Sequence, residues 1–243
     1  MRLYVIGCEY AGKTTLLEKI LQWQEELGVK PIVHDHFTFP SPGSLVPYDR
    51  WERDDEAKLM SLSAGAQARL TTWGGGYHTN AFLHGTVYND VILDGFLIEE
   101  YIYGPLYYGY KFENPGAASG KIDKDYVDFD MDARNRMLEM YMLEKFPGTI
   151  LVHVTASAEC IKQRMHEHPH SPGRIKEEHI PQLLESFDDQ YKKCLITQKI
   201  TIDTTDLTAD EAFEVFKTKV WQHLEERDLL RIMLHKMSEA KGS

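Results

Sequence analysis

Gly7, Gly12, Lys13 and Thr14 stand at the spacing Gly-x-x-x-x-Gly-Lys-Thr inside "VIGCEYAGKTT", a pattern suited to gripping polyphosphate. Glycines let backbone N–H groups turn inward around phosphate oxygens. A helix starting at the lysine adds the positive end of its dipole. The whole turn is therefore the candidate nucleotide cradle: Gly7, Glu9, Tyr10, Ala11, Gly12, Lys13, Thr14 and Thr15. Lys13 would reach the β- and γ-phosphates of ATP, and the Thr14 hydroxyl would hold Mg²⁺. A second run, "GAASGKI" at residues 116–122, is one residue short between its glycines and has no Ser or Thr after Lys121. It reads as a loop.

Many reactions use such a cradle, and carboxylates elsewhere narrow them. "VILDG" places Asp94 at the tip of a buried strand, where it would hold Mg²⁺ directly or through water; the competing reading is a plain turn aspartate. "IVHDHF" puts Asp35 at another strand end. A carboxylate there either takes a proton from an attacking group or caps a turn, and both readings stay open. No Asn-Lys-x-Asp guanine signature is present. His166, His168 and His170 alternate, but Pro169 and the loop setting give no metal geometry, so they read as solvated side chains. His34 and His36, beside Asp35, carry no metal assignment either.

These residues need a scaffold, and the hydrophobic pattern supplies one. "RLYVIG" is a short β-rich run, and "KTTLLEKILQWQEELG" carries Leu16, Leu17, Ile20 and Leu21 at helical spacing before Gly28. Four more strands are predicted in "KPIVHDHF", "YNDVILDG", "GTILVHVTA" and "QKITIDTT". Helical patterns separate most of them, which predicts an α/β fold with a five-stranded parallel sheet and helices on both faces. The chain reads as a single domain over residues 1–243, with an insertion over 41–88 at the C-terminal end of a strand. Substrate sites of doubly wound sheets are built at such ends. The insertion contains a helical "EAKLMSLSAGAQARLTTW" and the run Gly74-Gly75-Gly76, read as a loop. C-terminal helices are predicted over 208–237: Thr208 and Glu211 form a capping-box pair, and Phe213, Phe216, Val220 and Leu224 form an apolar stripe. "RDLLRIMLHKM" fits either a last helix or a homodimer contact.

Bulk properties exclude some partners. The 243 residues carry 38 acidic and 27 basic side chains, a net charge of −11. That balance disfavours nucleic acid, whose phosphates call for a basic surface. Cys8, Cys160 and Cys194 are odd in number and lack CxxC spacing, which predicts a reduced cytoplasmic chain. No apolar run reaches membrane-spanning length, and the first strand begins at Arg2, leaving no room for a signal peptide.

One stretch is more specific. "LDGFLIEEYIYGPLYYG", residues 93–109, resembles the thymidylate-kinase-like and deoxynucleoside kinase branch of the P-loop nucleoside and nucleotide kinases. In that branch the strand ends in an Asp-Arg pair, followed by a Ser-Glu or similar pair and a Tyr-Gly motif. Asp94, Glu100, Tyr103 and Gly104 match. Gly95 does not: it stands where the family carries an arginine that helps bind substrate phosphate. Leu97 and Tyr108 likewise replace polar or basic residues. Further along, "AECIKQRMHEHPHSPGRIKEEHIPQLLESFDDQYKK" resembles the family's lid, placed over 164–178, with Arg164 on the entering helix and Arg174 within it. The resemblance runs from residue 1 to about 225.

The resemblance implies a P-loop kinase three-layer sandwich with a mobile lid, moving the γ-phosphoryl group of ATP to a nucleoside or nucleoside monophosphate. Arg164 and Arg174 would stabilise the group in transit, because a planar, permanently charged fork can follow its charge; alone, two arginines ten apart would be ordinary surface residues. Asp35 would activate the acceptor, and adenine would lie near Asp203–Asp206. The insertion, with Tyr48, Trp51, Arg69, Trp73 and Tyr77, would cover the acceptor, its aromatics either stacking on a base or packing a core. Arg69 is a candidate for the charge missing at Gly95. Two other readings stand beside this one: a nucleotide-binding protein without catalysis, and a kinase acting on DNA or RNA ends or modified bases.

Overall fold

The computed structural model describes residues 1–35, 38–39, 49–50, 58, 61–63, 66, 90–107, 131–170 and 175–242. Most of the 41–88 insertion, with Tyr48, Trp51, Arg69, Trp73, Tyr77 and the triple glycine, lies outside them. So do Tyr108, the 116–122 run and Arg174.

The predicted first strand forms β1 (Arg2–Ile6). Leu3, Tyr4, Val5 and Ile6 are all at most 1% exposed, so both strand faces are covered and the sequence reads as a continuous apolar run instead of alternating. Around it lie β2 (Ile32–Asp35), β5 (Val91–Asp94), β6 (Thr149–Thr155) and β7 (Gln198–Asp203). They build one all-parallel sheet in the order β2-β5-β1-β6-β7. This is the predicted α/β architecture. An element the hydrophobic pattern did not announce is a two-residue antiparallel pair, β3 (Thr38–Phe39) with β4 (Asp49–Arg50).

The order places β1 in the middle, with β5 on one side and β6 on the other. Successive connections therefore leave β1 in opposite directions, and a crevice opens beyond its C-terminal end. The glycine-rich turn from Gly7 occupies that end and runs into α1 (Lys13–Glu26). Leu16, Leu17 and Ile20 bury one stripe of α1, and Gly28 at φ 74° follows its last turn.

Among the described residues the other full α-helices are α2 (Phe96–Tyr107), α3 (Met131–Lys145), α4 (Ala158–Glu167), α5 (Ile180–Lys193), α6 (Ala209–Val220) and α7 (Glu226–Gly242). Ser157 caps α4 by accepting from the Cys160 N–H. Thr208 and Glu211 form the predicted capping box of α6 in both directions. The stripe on α6 is also as expected: Phe216 and Val220 are fully buried, and Trp23 of α1 meets Phe213 and Phe216 edge-on. Each such buried aromatic contributes roughly 1.5–3 kcal/mol. On the other side, Phe187 of α5 packs edge-on to Tyr103 of α2 and stacks on His153 of β6. The segment left open between helix and dimer contact is helix α7, along which Leu230, Met233, Leu234 and Met237 are exposed.

Candidate active site

Backbone sterics shape the turn first. A Cβ on Gly7 would stand 2.4 Å from the Val154 carbonyl oxygen, so only glycine lets the end of β1 pass this close to β6. Tyr10 at φ 65° and Gly12 at φ 87° both adopt the left-handed region. For a tyrosine that conformation costs about 1–2 kcal/mol and must be held by its surroundings.

Four side chains from three directions do the holding. The Glu9 N–H donates to the Tyr103 hydroxyl of α2 at 3.1 Å, and the Gly7 N–H donates to Glu99 Oε1 at 3.3 Å. From α4, Arg164 donates to the Tyr10 carbonyl at 3.1 Å. From the end of β7, the Thr204 hydroxyl donates to the Ala11 carbonyl at 2.8 Å. The amides of Gly7 and Glu9 are thus engaged inside the protein and shape the turn. Thr14 and Thr15 lie exposed at the start of α1.

Lys13 points into this nest. Its ammonium hydrogen-bonds Glu99 Oε1 at 2.5 Å and lies 2.7 Å from Asp94 Oδ1. The Lys13, Asp94 and Glu99 side chains are 13%, 16% and 7% exposed, so solvent screens them little. Burial works against the Lys13 charge, but Asp94 and Glu99 outweigh it and hold its pKa above the ordinary lysine value. Burial raises the Glu99 carboxyl, with Lys13 pulling it back and Asp94 pushing it further up. Cys8 is pushed up to about 12 by burial, which keeps it an inert thiol.

Asp94 sits at the tip of β5, as expected from "VILDG", opposite Val5 of β1 and opposite Asp35 of β2 in register. Two aspartates therefore end neighbouring strands beside the turn. Asp94 Oδ1 is buried against the Lys13 ammonium at 2.7 Å. A carboxylate oxygen and the exposed Thr14 hydroxyl are hard oxygen donors of the kind Mg²⁺ takes, so the residues present fit that ion.

Arg164 lies on α4, the helix that enters the segment read as the lid, and its side chain turns toward the P-loop. Its two amino groups are committed to main chain and to Thr204: 2.9 Å to the Thr204 hydroxyl and 2.7 Å to the Thr204 carbonyl, besides Tyr10. In this arrangement it clamps the turn to the loop after β7, where adenine is expected. The helix register brings it there, since Ser157 starts α4 beside Thr205.

Glu99, which touches Lys13 and the P-loop, is a side chain that the sequence reading did not single out; the residue matched there was Glu100. The signal for Glu99 was the glycine before it. Gly95 has φ 72°, and a Cβ there would stand 2.1 Å from Glu99 Oε2 and 2.3 Å from Glu99 Cδ. A side chain at position 95 would adopt a left-handed backbone and would displace the Glu99 carboxylate from its present place.

Described residues of the segment read as a lid touch the turn as well. The His170 ring stacks on Tyr10 at 4.1 Å, and the His170 backbone N–H donates to the Tyr10 hydroxyl at 2.9 Å. His166 lies 2.8 Å from Glu177. The Tyr107 hydroxyl of α2 accepts from the Lys176 N–H at 3.3 Å and meets His179 Nδ1 at 2.9 Å.

No family model and no curated protein sequence matches the chain. Solved structures do. Deoxyadenosine kinase from M. mycoides with bound dATP aligns over 90% of this chain and 99% of that one, at 15% identity and TM-score 0.54. Thymidylate kinase from Candida albicans aligns over 92% and 93%, at 14% identity and TM-score 0.53. The YorR protein from Bacillus subtilis, in complex with phosphorylated GDP, aligns over 93% and 100%, at 16% identity and TM-score 0.51. The likeness is one of fold: the chain has the fold of the P-loop nucleoside and nucleotide kinases.

Proposed function

We propose that the protein is an ATP-dependent phosphotransferase that moves the γ-phosphoryl group to a nucleoside or nucleoside monophosphate. The observation that carries this is the placement of Lys13. It stands at the start of α1, at the mouth of a complete P-loop that follows the central strand of a kinase-type sheet, and its ammonium lies 2.7 Å from the strand-tip Asp94. Lys13 and the amides at the start of α1 hold the donor phosphates. Thr14 and Asp94 would hold Mg²⁺, which supplies charge neutralisation on the phosphates when bound. Arg164 keeps the turn and the loop after β7 in register. The sequence resemblance leaves Arg174 for the phosphoryl group in transit. Asp35 takes the acceptor proton or positions the acceptor.

Most of the acceleration comes from position and charge, since phosphoryl transfer asks little covalent help from the protein. The lid contacts of His170 with Tyr10 support exclusion of water from the site. The chain carries no described helix long and apolar enough to cross a membrane.

The test is a coupled ADP-release assay across nucleosides, nucleoside monophosphates and short oligonucleotides. ADP release that requires a nucleoside or monophosphate supports the reading. ATP binding with no turnover on any acceptor replaces it with a nucleotide-binding protein. Turnover confined to oligonucleotides, with steep salt dependence, replaces it with an end- or base-modifying kinase.

A further inference from the structure

Tyr10 holds a place that its own backbone makes unfavourable. The Ala11 N–H donates to the Cys8 carbonyl at 3.0 Å, closing a four-residue turn with Tyr10 third. Tyr10 has φ 65°, and a positive φ at that position of a turn ordinarily calls for glycine or asparagine. Glycine takes this conformation without steric cost, whereas the Cβ of a tyrosine crowds the following carbonyl. The turn is the middle of the P-loop, so its conformation sets where the amides ahead of α1 point. The Tyr10 side chain is gripped from the segment after α4. The His170 ring stacks on it with centroids 4.1 Å apart and planes 21° apart. The His170 backbone N–H donates to its hydroxyl at 2.9 Å. His170 Nδ1 also lies 3.9 Å from Oε2 of Glu9, the neighbouring residue of the same turn. The Tyr10 carbonyl is held separately, by Arg164.

We propose that His170 is a positioning residue for the phosphate site. Through its stack on Tyr10 it holds the P-loop in the phosphate-binding conformation, which Tyr10 alone would not keep. This rests on the reading of the P-loop as the ATP site. A strained backbone conformation persists only where its surroundings over-determine it. Were the turn to relax, Tyr10 would move to negative φ and the amides that follow would turn away from the cradle. Only the fraction of molecules in the competent conformation binds, so the apparent affinity falls by that fraction. The coupling is reciprocal: a nucleotide that needs the turn as it stands also favours the seated His170. Nucleotide affinity is thereby tied to a segment 160 residues away in sequence. The His170 side chain is 57% exposed, so its removal opens no core cavity, and a loss on substitution reports on the loop.

The experiment measures the Kd for ATP in the presence of Mg²⁺, by calorimetric titration of the full chain, with thermal melts as the check on folding. His170→Ala should weaken ATP binding about fivefold, the scale of one aromatic stack. His170→Phe keeps a flat ring on Tyr10 and should stay within about twofold of wild type. The deciding comparison places His170→Ala on Tyr10→Gly. Glycine holds the turn without help, so in that background the same substitution should change Kd by less than about twofold. Tyr10→Asn, which also tolerates the left-handed region, gives the same comparison if the glycine variant melts early. An equal loss on both backgrounds would mean that His170 acts on ATP or on the fold at large, and overturns the inference. So does a His170→Phe protein as weak as His170→Ala, which assigns the effect to the ring nitrogens, or an unchanged Kd in His170→Ala. A wild-type protein that binds ATP but transfers nothing removes the kinase reading and leaves this inference standing. One that binds no ATP removes both.

Discussion

Arg164 and Thr204 form a closed hydrogen-bonded unit with the P-loop. The guanidinium donates to the Thr204 hydroxyl and carbonyl, and that same hydroxyl donates to the Ala11 carbonyl. An arginine so committed acts by holding the loop. Arg164→Ala should therefore raise the Kd for ATP about tenfold and cost about 1–3 kcal/mol of stability. For a chain of this size, each kcal/mol lowers Tm by about 2–4 °C. Calorimetric titration and thermal melts check both. A fall in kcat with unchanged ATP affinity and Tm would return Arg164 to the phosphoryl group in transit, the role its sequence position suggests.

Lys13→Ala should abolish turnover, and the structure adds a second effect. Removing the ammonium leaves Asp94 and Glu99 facing each other across a poorly solvated gap. The expected cost is about 3 kcal/mol, the low end for a broken buried pair, because Asp94 retains 16% exposure. Burial and Asp94 already raise the Glu99 carboxyl, and loss of Lys13 raises it further. Adding Glu99→Gln to Lys13→Ala should therefore recover at least about 1 kcal/mol only well above neutral pH, where Glu99 would otherwise ionise beside Asp94. Urea unfolding of the single and double variants reads this directly. Equal stability of the two would mean that Glu99 bears no charge beside Asp94.

His153 sets a pH dependence away from the active site. It is 1% exposed, neither ring nitrogen is hydrogen-bonded, and the Asp188 carboxylate is 3.7 Å away. Burial lowers its pKa below the ordinary histidine value, with Asp188 opposing. The unfolded histidine, titrating near 6.5, then binds more protons than the folded one. Stability should accordingly rise with pH up to about 6.5 and fall below it, by at most about 1.4 kcal/mol per pH unit from this residue. Stability of His153→Phe measured from about pH 5 to about pH 7 should show a shallower slope than wild type. An identical slope would place the proton uptake on another group.

The sheet and its P-loop were legible because short β-rich apolar runs stop at Gly7 and at Asp94-Gly95, with helical patterns between them, as buried parallel strands do. The capping box of α6 was legible because Thr208 and Glu211 act on their own backbone. The partners of the P-loop were not. Tyr103, Arg164 and Thr204 reach it from positions 94 to 193 residues away in sequence, and nothing local to them marks that destination. Asp94 was found because a strand-tip aspartate follows from the motif. Glu99 was passed over because its meaning depends on the space left by Gly95, a packing relation invisible in composition or spacing. The β3–β4 pair is too short to leave a period.

The most direct measurement follows label from γ-³²P-ATP in the presence of Mg²⁺ and a mixture of nucleosides and their monophosphates. The account predicts label in a nucleoside phosphate, dependent on acceptor and lost in Lys13→Ala. Bound ATP whose label stays in ATP, or appears only as inorganic phosphate whatever the acceptor, would contradict it.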